Sequence, residues 1–259
     1  MMNTEVARVG GDSSSTPPSH PPVVYAVRHA QSVANSVKEA DRVEYYKRCW
    51  LDDSTLPADR RLRDCVLTPE GAAATLSVAL DPKEESSESS ILIVVSPLTR
   101  ALLTACLLFH RLQTVEGVRV LTVVEPAAVE RLNAPHDIVE NVGRQVASVF
   151  EEIYPFLLDV EAPPGAVALA RALEASCQDL AQQWWFSAAE PGQLPQRVLE
   201  SGVEERRERL RECIKRHVRD AGCAVSRVFV VCHWGVLFTL TGVKGAANLE
   251  SVEVKGFLD

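Results

Sequence analysis

The chain has 259 residues, 46% of them hydrophobic and 24% charged, which suits one large α/β domain or two small ones. A formal net charge of −8 argues against nucleic acid or an anionic membrane surface as the main partner. No apolar run is long enough to span a bilayer, and the N-terminus lacks the basic-then-apolar pattern of a secretory signal, so a cytoplasmic protein is expected.

Residues 1–22 are rich in Ser, Pro and Gly, including Ser13-Ser14-Ser15-Thr16-Pro17-Pro18 and Pro21-Pro22. Such a segment buries too little apolar surface to offset its ordering entropy. It is expected to be a disordered tail, followed by one domain over 23–259. Val23–Val27 opens that domain as a buried strand. Thr68-Pro69-Glu70 is a helix start, with an N-cap, Pro at the first helical position and an acid in the first turn. That helix is expected to run to about Leu80. Asp81–Ser90 is polar and reads as a loop.

Ile91–Val95 is the second buried strand, and Pro97 is expected to open a helix running to about Leu112. Val118–Val124 is a further strand. Between Glu130 and Gly202 the pattern is weak. Val142–Tyr154 and Ala166–Trp185 look helical, with loops at Ala162-Pro163-Pro164-Gly165 and Pro191–Pro195. This stretch is expected to be an insertion over the sheet. Ser201 is expected to cap a long helix with Val203, Leu210, Ile214 and Val218 on one face. Arg227–Cys232 is a third buried strand, and the alternating Ser251–Phe257 is expected at an edge. Apolar residues run continuously through the three buried strands, as where both sheet faces are covered. Strands alternating with helices imply a three-layer α/β fold, with a mainly parallel sheet between helices.

The seven cysteines are scattered, odd in number and never spaced C-x-x-C. They read as reduced, buried thiols rather than a zinc site or a disulfide framework.

Three strands end in reactive clusters. The first runs into Arg28-His29-Ala30-Gln31-Ser32, with Asn35 just beyond. The second runs into Ser96-Pro97-Leu98-Thr99-Arg100-Ala101, and Arg227–Cys232 runs into His233-Trp234-Gly235. Ligands of open α/β sheets bind outside the carboxyl ends of the strands. The following helix N-termini favour an anion there.

Arg28-His29-Ala30-Gln31-Ser32 resembles the Arg-His-Gly/Ala signature of the histidine phosphatase superfamily, also called phosphoglycerate mutase-like proteins. Ser96-Pro97-Leu98-Thr99-Arg100-Ala101 with Thr104 is similar to its second motif. His233 resembles its second catalytic histidine, and Glu130 in Pro126-Ala127-Ala128-Val129-Glu130 resembles its acid. Asp64-Cys65-Val66-Leu67-Thr68-Pro69-Glu70-Gly71 looks like its Asp-x-x-Leu-Thr-x-x-Gly element. These motifs run from about Val23 to Gly242 in the family's order.

The resemblance implies a phosphoglycerate mutase-like fold and a phosphohistidine mechanism. His29 is then the nucleophile, Glu130 the general acid, and His233 a positive contact once phosphate is bound. Arg28 and Arg100 hold phosphoryl oxygens, and Asn35 adds a neutral hydrogen bond. The residue types fit. Phosphoryl transfer needs an in-line nucleophile, cations on the equatorial oxygens and a proton for the leaving oxygen. Cationic side chains supply the charge, so no metal and no cofactor are expected.

Taken singly, Arg28 reads as an edge ion-pair partner and His29 as a hydrogen-bonded core histidine. With Arg100 and His233 at equivalent strand ends, the catalytic reading is preferred. Glu125 competes with Glu130 for the acid role, and helix capping explains Asn35 equally well. His136-Asp137 follows Glu130 closely enough to border a pocket, although loop structure explains it as well. The run Glu204–Arg211 reads as a solvated helix face. Two departures stand out: Ala30 where Gly is commoner, and bulky Trp234 directly after His233, where Gly is usual.

The leading expectation is a phosphatase acting on a small phosphorylated metabolite, with a phosphoprotein as the other substrate class. A phosphoglycerate mutase is a second reading. The segment from Asn35 to Asp64 is unlike the substrate loop of glycolytic mutases, which favours a plain phosphatase. The third reading is an inactive phosphate-binding or scaffolding module.

Overall fold

The computed structural model describes residues 21–45, 62, 64–80, 90–130, 135–137, 147, 150, 154–155, 161–183, 202–221 and 223–258. Apart from Pro21 and Pro22, the expected tail lies outside them. So do the expected loops at 191–195 and, apart from Ser90, 81–90, and most of the expected helix at 142–154.

The first strand, β1 (Val23–Arg28), is followed by α1 (Val33–Ala40) and α2 (Pro69–Ser77). Then come β2 (Ser90–Val95), α3 (Thr99–Phe109), a 3-10 turn at His110–Thr114, and β3 (Arg119–Val124). Short 3-10 turns follow at Pro126–Ala128 and Pro135–Asp137. The described chain closes with α4 (Pro164–Gln183), α5 (Val203–Asp220), β4 (Val225–Cys232), α6 (Trp234–Thr241) and β5 (Ser251–Glu253).

The strand order is β3-β2-β4-β1-β5. The first four strands are mutually parallel, and β5 runs antiparallel along β1. All four parallel strands therefore end at one edge of the sheet. Register fixes what meets there. Arg28 lies opposite Cys232, and Val95 opposite both Val231 and Val124. The residues just beyond, His29, Ser96 and His233, become neighbours although they lie 67 or more positions apart in sequence.

Alternation along β2 sorts its side chains between two cores. Ile91, Ile93 and Val95 pack with residues of α2, α3 and α4. Leu92 and Val94 pack with Leu210, Cys213 and Ile214 of α5 and Val236, Leu237 and Leu240 of α6. Each of these β2 side chains is at most 1% exposed. Burying one such side chain is worth about 1.5–3 kcal/mol. A continuous apolar strand is what a sheet covered on both faces needs.

Several expected boundaries move. Pro97 does not open α3; the helix starts at Thr99, whose backbone N–H donates to Asp64 at 2.7 Å. That remote carboxylate replaces a local cap, since Leu98 at the N-cap makes no side-chain bond. The helix ends at Phe109 and tightens into the 3-10 turn. The second helix stops at Ser77 rather than Leu80. Gly202, not Ser201, occupies the N-cap of α5. Pro164 and Gly165, expected in a loop, begin α4, because proline is well suited to the first helical turn. The edge strand ends at Glu253; Val254 and Phe257 still pack into the core from beyond it.

The Asp64–Gly71 element works as a brace for the loop after β1. Thr68 caps α2 by accepting from Gly71 N at 3.0 Å, and it donates its own backbone N–H to Gln31 O at 3.0 Å. A Cβ on Gly71 would collide with that same Gln31 carbonyl. Gly71→Ala should therefore cost about 1–3 kcal/mol of stability, as overpacking does. Urea unfolding measures this; an unchanged midpoint would mean that the contact yields freely.

Candidate active site

His29 follows β1 directly. Its backbone N–H donates to Cys232 O at 2.9 Å, which extends the ladder by one residue. Its Nδ1 lies 2.6 Å from Ala30 O. A carbonyl can only accept, so Nδ1 carries the proton and Nε2 carries the lone pair. That lone pair faces Arg100, whose Nε donates to it at 3.3 Å. Ala30 N in turn donates to Thr104 Oγ1 at 3.0 Å, and the Thr104 hydroxyl donates to Arg100 O at 2.7 Å. The loop after β1 and the first turns of α3 are thus tied together.

His233, at the end of β4, sits with its ring centroid 5.0 Å from that of His29. Its Nε2 is 2.7 Å from Ser96 Oγ, at the end of β2. Its Nδ1 is buried and has no hydrogen-bond partner among the described residues, and the same holds for Nε of Arg28. Arg28 anchors its Nη1 on Ala246 O at 2.6 Å.

Burial pushes both histidines well below the ordinary imidazole value, and Arg100 pushes them further. Each ring is therefore neutral near pH 7. Burial also lowers the Arg28 guanidinium from its usual value.

Glu130 reaches the same edge from the loop after β3. Its Oε2 accepts from Gly235 N at 3.0 Å, in the first turn of α6. A Cβ on Gly235 would strike Glu130 Oε1, so the approach needs glycine there. Glu125 is committed elsewhere: its Oε1 accepts from Ala127 N at 2.8 Å. Of the two acids, Glu130 is the one whose carboxylate docks at the start of α6, two residues after His233.

Asn35 has a visible local duty. Its Oδ1 accepts from Ser32 N and Ser32 Oγ, and its own N–H donates back to Ser32 Oγ, forming the capping box of α1. Trp234 does not fill the pocket. Its indole stacks on Phe238 along α6, 5.8 Å between centroids, and stays 44% exposed.

Residues outside the expected set also converge. Arg100 Nη2 pairs with Asp137 Oδ1 at 2.9 Å, and Nη1 donates to His136 O at 2.6 Å. His136 Nδ1 is 2.5 Å from Tyr45 Oη. Proximity of His136-Asp137 to Glu130 was a sequence signal; Tyr45, 91 positions from His136, had none. The run Glu204–Arg211 does carry surface pairs such as Arg209–Glu205. Arg206 departs from that face and donates to the carbonyls of Val129 and Ala127, beside Glu130. A shallow cleft opens here between Ala127, Arg206, Leu210, Gly235, Val236 and Thr239. Neither His29 nor His233 lines it.

Among the described residues, no group of three or more His, Cys, Asp or Glu side chains could hold a metal ion. No described helix is long and apolar enough to cross a membrane. The six described cysteines are free of disulfide bonds.

No family model and no curated protein matches the chain. Among solved structures, the ecdysone phosphate phosphatase of Bombix mori, in complex with tungstate, aligns at 14% identity and a TM-score of 0.42. The alignment covers 89% of this chain and 82% of that one. An Escherichia coli K-12 protein described as an alpha-ribazole-5'-P phosphatase aligns at 13% identity and a TM-score of 0.38, over 92% and 93%.

Burial also pushes His136 down, to about 3. When unfolded, all three histidines titrate near the ordinary value of about 6.5. Below that pH the unfolded chain takes up protons that the folded chain refuses, until the folded values are reached. Stability should therefore fall as pH drops from 7 to 5. Urea unfolding at both pH values checks this, and equal stability would indicate charged histidines in the fold.

Proposed function

We propose that this chain is a phosphomonoesterase of the histidine phosphatase superfamily, working without a metal through a phosphohistidine on Nε2 of His29. The supporting observation is the state of His29: its proton is held at Nδ1 by Ala30 O, and its neutral Nε2 faces a guanidinium.

The reaction runs in two displacements. Nε2 of His29 forms a bond to phosphorus while the bond from phosphorus to the ester oxygen breaks. Glu130, entering protonated, gives its proton to that oxygen and an alcohol leaves. The Glu130 carboxylate then takes a proton from water. The water oxygen attacks phosphorus, the P–N bond breaks, and inorganic phosphate is released with His29 neutral again.

Arg28 and Arg100 neutralise charge on the equatorial oxygens. Nε of Arg28 and Nδ1 of His233 are buried without a partner, and a phosphoryl oxygen is the acceptor that would satisfy them. A bound dianion would also draw a proton onto His233, which is neutral without it. With Asn35 Oδ1 held in the cap, its amide N–H groups are the part that would reach the anion. The substrate is a small phosphorylated metabolite, met in the cytoplasm as one domain over residues 23–259. A net charge of −8 disfavours nucleic acid and membrane surfaces.

Glu130→Gln tests the assignment. General acid catalysis typically contributes about 10²–10⁴-fold. The variant should lose about that much on alkyl phosphates and far less on p-nitrophenyl phosphate, whose leaving group needs little protonation. EDTA should leave the native rate unchanged. Equal losses on both esters would remove Glu130 from the acid role, and a reversible loss with EDTA would contradict the metal-free mechanism.

A further inference from the structure

Attack on phosphorus needs the Nε2 lone pair of His29, and Arg100 Nε–H now rests on it at 3.3 Å. The phosphoryl group must enter along that line. The guanidinium must therefore hand its Nε–H from the nitrogen to a phosphoryl oxygen without itself moving away. We propose that Asp137, backed by His136 and Tyr45, is the positioning residue that holds the far edge of Arg100 while its Nε–H makes this exchange. The proposal rests on the assignment of His29 as nucleophile.

Two acceptors grip the guanidinium from behind: Asp137 Oδ1 on Nη2 at 2.9 Å, and His136 O on Nη1 at 2.6 Å. Each terminal nitrogen keeps a second N–H for the substrate. The grip has its own support. His136 Nε2 lies 3.2 Å from the same Asp137 Oδ1, and His136 Nδ1 lies 2.5 Å from Tyr45 Oη. A carboxylate oxygen can only accept, so His136 Nε2 donates to it, and the Tyr45 hydroxyl donates to Nδ1 of the neutral ring. The chain runs from Tyr45 through His136 and Asp137 to Arg100. Tyr45 is itself packed with Ala34, Leu62 and Cys65.

Arg100 and Asp137 are 2% and 1% exposed. A buried ion pair is a poor device for stability, since desolvation offsets the attraction. Fixing the direction of a planar cation is what such a pair does well.

A mutant cycle on the full chain tests this. Misplacing a catalytic group by about 1 Å can cost about 100-fold. Asp137→Ala should lower kcat by roughly 10- to 100-fold, with a much smaller change in the inhibition constant of inorganic phosphate. Asp137→Asn keeps the shape and one acceptor oxygen, so it should show a smaller loss in the same direction, and it decides the matter if Asp137→Ala does not fold. Tyr45→Phe should show the mildest loss. On an Arg100→Ala background neither Asp137 substitution should slow the enzyme further, because the residue to be positioned is gone. A purely structural Asp137 would give losses that multiply with Arg100→Ala, and that result overturns the proposal. So would an unchanged kcat in Asp137→Asn. Full activity in Arg100→Ala would overturn both this proposal and the reading of the site.

Discussion

Two imidazoles held 5.0 Å apart, out of water and beside a guanidinium, cannot both carry charge. The parallel register of β1 and β4 imposes this constraint, because Arg28 opposite Cys232 sets His29 and His233 side by side. Neutrality has a chemical consequence. A protonated imidazole has no lone pair to offer, whereas a buried neutral one does. The carbonyl of Ala30 then decides which nitrogen keeps the proton. Sheet register, burial and one backbone hydrogen bond thus turn an ordinary histidine into a candidate nucleophile.

The rest of the edge keeps that arrangement in place. Asp64 caps the helix that carries Arg100, Thr104 ties the same helix to the loop after His29, and Thr68 with Gly71 braces that loop at Gln31. On the opposite side, Gly235 lets the Glu130 carboxylate dock at the start of α6. Arg206 holds the carbonyls just before Glu130. These contacts link segments far apart in sequence, so the geometry exists only in the folded chain.

Much of this was legible in the sequence where a signal is local or repeated. Continuous β-branched runs marked the buried strands, because both sheet faces are covered. Chemistry-bearing residues at three strand ends marked one edge, because parallel strands finish together. Helix starts were less legible. Pro97 looked like an opening signal, yet Asp64, 35 positions away, sets the start of α3. Tyr45 and Arg206 were not legible as site residues. One is an ordinary aromatic after a short helix, and the other belongs to an Arg/Glu run whose remaining pairs do lie on the surface. Asn35 shows a limit of motif reading. A phosphate-binding amide and a capping box call for the same residue type at the same spot.

The covalent intermediate is the most direct test. The chain of residues 1–259 would be mixed briefly with a phosphomonoester, denatured, and searched for phosphate on histidine. The account predicts label on His29, labile in acid and relatively stable in base, as expected for phosphorus bonded to nitrogen. It predicts no label in His29→Ala and a slow, weak label still on His29 in His233→Ala, which loses a charge-stabilising group but keeps the attacking atom. Label on His233 would reverse the two assignments, and active enzyme that carries label on neither histidine would contradict the covalent mechanism.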